Sequence, residues 1–163
     1  MNIKDLRGVI PPIVTPVDEN ENVDVEGLKR VIEHVLEGGV HGVFVLGSNG
    51  EFYALDPENQ RLAVETTVNH VAGRVPVYAG VGEITTKACI KMVKQAKEAG
   101  ADAVTILTPM FIKLNDEEMF SHFEEIAKST DMPILLYNNP DKTNNNISVK
   151  VLKKLAAIDN IIG

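Results

Sequence analysis

Two stretches of this sequence read alike: Glu37-Gly38-Gly39-Val40-His41-Gly42-Val43 and Glu98-Ala99-Gly100-Ala101-Asp102-Ala103-Val104, which lie 61 residues apart. Each runs from the end of an amphipathic pattern, through glycine, into a short β-branched run. Glycine ends a helix, a turn follows and a strand begins. An offset of 61 residues accommodates two units of about thirty residues, the length of one strand, one helix and their connections.

Outward from these junctions the same alternation fills the chain. Apolar runs occur at Val9 to Val17, Val43 to Leu46, Val77 to Val81, Val104 to Leu107 and Ile134 to Tyr137, and a sixth opens at Ile161-Ile162. They are continuous rather than alternating, which implies burial on both faces, as in a parallel sheet. Between them lie stripes of helical period: Leu28, Val31, Ile32, Val35 and Leu36; Leu62, Ala63 and Val68; Ile90, Val93 and Ala96; Phe120, Phe123 and Ile126. Asp24 before Val25-Glu26, Asp56 before Pro57, and Ser148 before Val149 are expected to cap helix starts.

Even spacing without a long crossover or chain reversal favours a closed (β/α)₈ TIM barrel over a doubly wound sheet, whose Gly-x-Gly-x-x-Gly fingerprint is absent. A flavodoxin-like five-stranded sheet remains the structural alternative. The strands make five complete βα units and the start of a sixth, whereas a barrel closes with eight over about 250 residues. Residues 1–163 are therefore expected to be the N-terminal part of a single TIM-barrel domain whose remainder is missing, because a half barrel ending at Asn160-Ile161-Ile162-Gly163 leaves an unpaired strand edge.

Composition excludes several function classes. The net charge is −7 and the lysines are dispersed, with Lys87, Lys91, Lys94 and Lys97 at helical spacing as a solvated face, so no footprint for nucleic acid or an anionic membrane exists. Small soluble molecules are the expected partners. The start, Met1 to Asp5, lacks an apolar leader core and no apolar stretch is long enough to cross a bilayer, which makes the cytoplasm the default compartment. Cys89 is the single cysteine, lies in a helical pattern with Ile90 and Val93, and is expected to be a buried structural thiol. His34, His41, His70 and His122 have no ligand spacing, so neither zinc nor iron is expected, and no cofactor.

In a barrel, chemistry sits where strands end. After the second run comes Leu46-Gly47-Ser48-Asn49-Gly50-Glu51-Phe52, a glycine-flanked turn leading towards a helix, where backbone N–H groups can converge on an anion. Its plainer explanation is a tight turn that uses glycine and asparagine for positive φ. After the fifth run comes Tyr137-Asn138-Asn139-Pro140, which places a phenol at the barrel mouth, able to move a proton or orient a carbonyl. A strand-end tyrosine satisfied by water is the alternative. Glu83, after the third run, either lines the mouth or caps the next helix.

Gly47-Ser48-Asn49-Gly50-Glu51 resembles the G-[ST]-[ST]-G-E loop, and Tyr137-Asn138-Asn139-Pro140 the Y-N-x-P segment, of the dihydrodipicolinate synthase and N-acetylneuraminate lyase family. Gly8-Val9-Ile10-Pro11-Pro12-Ile13-Val14-Thr15-Pro16 resembles that family's first strand, and Thr108-Pro109-Met110-Phe111 falls where it has T-P-Y-Y; the resemblance covers essentially the whole chain. It implies a class I aldolase: a lysine amine attacks the ketone of pyruvate, and the enamine formed from the iminium adds to, or departs from, an aldehyde. By the same resemblance Gly47, Ser48, Asn49 and Gly50 hold the pyruvate carboxylate, Tyr137 relays protons and Ser48 assists that relay. The nucleophilic lysine is expected in an I-K-D-like segment about two residues beyond Gly163, so the chain alone is expected to be inactive. A homotetramer is implied.

Departures from the synthase pattern favour cleavage over synthesis. The synthases have two threonines in the first loop and a tyrosine pair after strand four, where this chain has Ser48-Asn49 and Met110-Phe111. Phe111 has no hydroxyl to complete a proton relay from a neighbouring subunit. Lys142 stands where the synthases grip a second carboxylate with arginine, and supplies a point charge without the fork; a solvated loop lysine is its alternative. The loop looks more like that of members cleaving hydroxylated 2-oxo acids such as 4-hydroxy-2-oxoglutarate or 2-keto-3-deoxy sugar acids. The rivals are 4-hydroxy-tetrahydrodipicolinate synthase of lysine biosynthesis, a non-catalytic 2-oxo-acid binder, and a metal-dependent barrel aldolase, for which the sequence offers no ligands.

Overall fold

The computed structural model describes residues 7–163, so the Met1 to Asp5 start lies outside the described residues. The chain forms two compact units, one comprising the chain up to Gly80 with Gln95–Ala103, the other Val81–Lys94 with Val104–Gly163.

The first unit holds α1 (Val25–Glu37), β1 (Val43–Val45), α2 (Pro57–Val71) and most of β2 (Val77–Val81). β1 and β2 pair in parallel, with Val43 opposite Val77, Phe44 opposite Tyr78 and Val45 opposite Ala79. The anticipated caps start both helices. Asp24 accepts from the Gly27 amide at 2.9 Å, and Asp56 accepts from the Asn59 amide at 2.8 Å with Pro57 at the first helical position. Leu28, Ile32, Val43, Val45, Ala63 and Val71 are buried and form the core. On α2 the buried face is Asn59, Ala63, Thr66, Thr67 and Val71, and the expected Leu62 is exposed instead. Two threonines fit that face because a helical threonine can satisfy itself, as Thr67 does by donating to the Ala63 carbonyl at 2.7 Å. Across α1 and α2, Glu33 accepts both terminal nitrogens of Arg74, at 2.8 and 2.9 Å, and lies 3.1 Å from His70 Nε2.

The repeated junctions share a mechanism. Their common glycine is left-handed in both, with φ of +75° at Gly39 and +88° at Gly100. Two residues on, His41 and Asp102 do the same work. The His41 amide donates to the Val9 carbonyl at 2.8 Å while its Nδ1 accepts the Val9 amide at 3.1 Å; the Asp102 amide donates to the Val77 carbonyl at 2.9 Å while its carboxylate accepts the Val77 amide at 2.8 Å. Each residue thus pins the start of an earlier extended segment through both of its backbone groups.

The run Val9 to Val17 is not a regular strand. It lies parallel to β1 through a bridge of Pro12 with Phe44 and bonds from the Ile13 amide to the Phe44 carbonyl (2.9 Å) and from the Phe44 amide to the Pro11 carbonyl (3.1 Å). Pro11, Pro12 and Pro16 have no N–H to extend a ladder. β1 also stops one residue early, because Leu46 takes a left-handed φ of +58°.

The second unit holds most of β3 (Ala103–Leu107), β4 (Ile134–Tyr137), α4 (Asp116–Lys128), α5 (Pro140–Thr143) and α6 (Val149–Leu155); α3 (Thr86–Glu98) divides between the units. β3 and β4 are parallel, from Val104 opposite Ile134 to Leu107 opposite Tyr137. The sixth run begins to pair, with Ile161 bridging Ile134 and the Leu136 amide donating to the Gly163 carbonyl at 2.8 Å. α4 and α6 pack together over buried Met119, Phe123, Ile126, Val151 and Leu155. Ser148 caps α6 as expected. α4 opens with a reciprocal box in which Asn115 accepts from the amides of Glu117 and Glu118 and Glu118 accepts from the Asn115 amide. At α3 the cap is not Glu83 but Thr85, whose hydroxyl accepts from the Ala88 amide at 3.2 Å. β2 is buried throughout, whereas in β4 only Ile134 is fully buried.

Candidate active site

The first candidate element is the turn that leaves β1. Ser48–Gly50 forms a single 3₁₀ turn, closed by bonds from the Gly50 amide to the Gly47 carbonyl (3.0 Å) and from the Glu51 amide to the Ser48 carbonyl (3.3 Å). α2 begins only at Pro57, after a second short turn over Phe52–Ala54, so its own N-terminal amides belong to a different cap. Two non-glycine residues with left-handed backbone bracket the turn, Leu46 (φ +58°) and Glu51 (φ +51°). Outliers of this kind persist only where the surroundings enforce them, and they gather at functional loops. The surroundings here are tight: a Cβ on Gly47 would stand 3.0 Å from the Phe44 ring, and one on Gly50 3.1 Å from both the Ile13 carbonyl and the Thr15 hydroxyl. Ser48 is half-buried and Asn49 exposed.

The second candidate element follows β4. Tyr137 is the last residue of that strand, half-buried, and its phenol oxygen accepts from Asn139 Nδ2 at 3.2 Å. Lys142 lies in the four-residue α5 with its side chain exposed. The loop after β3 is braced against the loop after β4 by buried polar side chains. Asn145, only 2% exposed, donates to the carbonyls of Pro109 (2.8 Å) and Ile112 (2.7 Å) and accepts from the Leu114 amide (2.8 Å). The Thr143 hydroxyl lies 2.8 Å from that of Thr108. The braced loop carries Phe111 outward, 80% exposed and left-handed at φ +68°. Asn145 was not legible as a clamp, since Asn144-Asn145-Asn146 looks like any polar loop.

The thiol of Cys89 is fully buried and donates to the Glu83 carbonyl at 3.5 Å, and burial pushes its pKa up to about 12, which makes it an inert structural group. His122 is buried with Nδ1 2.9 Å from the Thr86 hydroxyl, and burial lowers its pKa to about 4. It borders a cleft of about 400 Å³ that Thr85, Thr86, Pro109, Glu118 and Ser121 also line. Among the described residues no group of three or more His, Cys, Asp or Glu is arranged to hold a metal, and no helix is long and apolar enough to cross a membrane.

The sequence profile of the Dihydrodipicolinate synthetase family matches residues 5–163. The chain belongs to that family. Among related family members, an uncharacterized DapA-like lyase of Halobacterium salinarum is 39% identical over 158 residues, 97% of this chain and 52% of that protein. The 4-hydroxy-tetrahydrodipicolinate synthase of Bacillus subtilis is 40% identical over 151 residues, 92% of this chain and 52% of that enzyme. The chain thus spans about half the length of the curated relatives it matches. Of solved structures, the chloride-inhibited dihydrodipicolinate synthase of Acinetobacter baumannii complexed with pyruvate superposes with a TM-score of 0.93 at 32% identity, over 96% of this chain and 54% of that one. The fold is therefore that of this α/β family, a (β/α)₈ TIM barrel represented in part, and the flavodoxin-like alternative is set aside.

Proposed function

We propose that this chain is the leading part of a single-domain barrel, and that the whole protein is a class I, lysine Schiff-base lyase that cleaves a hydroxylated 2-oxo acid to pyruvate and an aldehyde. Membership of a lyase family supports the class. The observation that carries the chemical assignment is Tyr137, a half-buried phenol at the end of β4 whose oxygen is held by Asn139.

In the proposed reaction a lysine amine adds to the C2 ketone of the oxo acid, the carbinolamine loses water, and the resulting iminium accepts the electron pair of the C3–C4 bond as that bond breaks. The aldehyde departs, the enamine is protonated at C3, and hydrolysis frees pyruvate and the amine. Carbinolamine dehydration and aldehyde formation both need a proton moved to or from oxygen, the role given to Tyr137 with help from Ser48. The carboxylate is assigned to the Gly47–Gly50 turn, where amides at the head of a 3₁₀ turn and the polar side chains of Ser48 and Asn49 suit an anion. Lys142 is assigned to a distal carboxylate. The amine nucleophile is given to no lysine of this chain but to the half of the protein that it does not span. No metal or cofactor takes part, and the protein is assigned to a cytoplasmic homotetramer.

Cleavage is preferred to cyclising synthesis because Phe111 offers no hydroxyl and Lys142 no guanidinium fork. A second proposal, 4-hydroxy-tetrahydrodipicolinate synthase, draws on the names of relatives such as the Bacillus subtilis enzyme. The test is to assay the full-length protein for pyruvate release from 4-hydroxy-2-oxoglutarate and 2-keto-3-deoxy sugar acids, with and without chelator. Release that chelator leaves untouched is expected. Condensation of pyruvate with an aldehyde to a cyclic product, without cleavage, would favour the synthase, and loss of activity with chelator would rule out the Schiff-base mechanism.

A further inference from the structure

Gly80 is a glycine without a local reason to be one. It lies in β2, and its φ is not among the left-handed ones of this chain, so its own backbone conformation is open to any residue. The reason lies opposite. A Cβ built on Gly80 would collide with the carbonyl carbon and oxygen of Leu46 and stand 3.2 Å from the Gly47 amide nitrogen. These are backbone atoms, which cannot rotate away as a flexible side chain would. The parallel register carries Val45 opposite Ala79, and at the next step Leu46 leaves the ladder in a left-handed conformation that bulky residues avoid. Its side chain is nonetheless buried, at 2% exposure, and its carbonyl is pressed onto the bare Cα of Gly80.

Resting on the proposed carboxylate role of the Gly47–Gly50 turn, we propose that Gly80 is a positioning residue for that turn: its missing side chain is the space that lets Leu46 hold the left-handed step which sets where Ser48 and Asn49 stand. Gly80 touches no reacting atom. It acts through Leu46, chiefly on the anchoring of the acid.

Two substitutions in the full-length protein test this. In Gly80→Ala the Leu46 carbonyl must move, so amide hydrogen exchange over Gly47–Glu51 is expected to rise about tenfold or more while exchange in α1 is unchanged. KM for the 2-oxo acid is expected to rise about tenfold or more and by a larger factor than kcat falls, because the anchor of the acid is displaced while Tyr137 is untouched and Ser48 only assists its relay. Unchanged exchange in the turn overturns the proposal, and so does raised exchange with unchanged KM. If the wild-type protein turns over no 2-oxo acid, the proposed function falls, while exchange still decides whether Gly80 sets the turn.

Should Gly80→Ala not fold, Leu46 gives the same decision. Leu46→Ile keeps the side-chain volume but is β-branched and resists positive φ, whereas Leu46→Gly accepts positive φ and loses the buried side chain. The proposal expects the isoleucine variant to have the higher KM and the glycine variant the lower melting temperature. A glycine variant with both the lower melting temperature and the higher KM would mean that Leu46 matters only for packing, and would overturn it.

Discussion

The proposed chemistry rests on one oxygen atom, the Tyr137 phenol, which accepts from Asn139 Nδ2 at 3.2 Å. Replacing it with phenylalanine keeps the ring and removes the proton carrier, so kcat of the full-length protein should fall about 10²- to 10⁴-fold with little change in melting temperature. Steady-state kinetics beside a thermal scan would show both. At Cys89 the buried thiol, with its pKa near 12, should resist a thiol-specific reagent in the native protein at pH 8 and react fully after unfolding. His122 gives a pH dependence whose sign follows from its lowered pKa. The folded state holds the imidazole neutral down to about pH 4, while in the unfolded chain it protonates from its ordinary 6.5. Its contribution is complete above pH 6.5 and is lost as pH falls towards 4, at about 1.4 kcal/mol per unit of separation. Melting temperature should therefore drop between pH 7 and pH 5, and drop less in His122→Gln. The burial of Cys89 was legible from its apolar neighbours on one helical face. The left-handed backbone at Leu46 was not, because no local preference of leucine announces it and only the opposing strand makes it possible.

Among elements, those with local causes were the legible ones. Asp24, Asp56 and Ser148 cap their helices because a side-chain oxygen beside a helix start needs no distant partner. The boundaries of β2 and β4 likewise match their apolar runs. The run Val9 to Val17 looked like a strand by hydrophobicity, yet its prolines limit it to scattered bonds with β1 and its neighbours. Asn145 was hidden for the opposite reason: its value comes from partners more than thirty residues away. Asn145→Ala would leave one amide and two carbonyls of the Phe111 loop without their clamp and should cost about 2–4 kcal/mol by urea unfolding of the full-length protein. At the repeated junctions, Asp102→Ala removes a side-chain acceptor from the Val77 amide and should cost about 1 kcal/mol, and Asp102→Asn, which keeps an acceptor oxygen, should recover most of it.

For the whole molecule, the fold was legible because the chain repeats one unit, and a repeat announces itself at every junction. The candidate site was legible only as strand-end motifs and a family likeness, since which groups converge on a substrate is a property of long-range packing that no single stretch encodes. The proposed function requires the whole protein to form a covalent imine with pyruvate. Mass spectrometry with peptide mapping after incubating the full-length protein with pyruvate and sodium borohydride tests it most directly. Schiff-base catalysis predicts one reduced pyruvate adduct on a lysine outside residues 1–163 and no adduct without pyruvate. A folded protein that carries no adduct would contradict it.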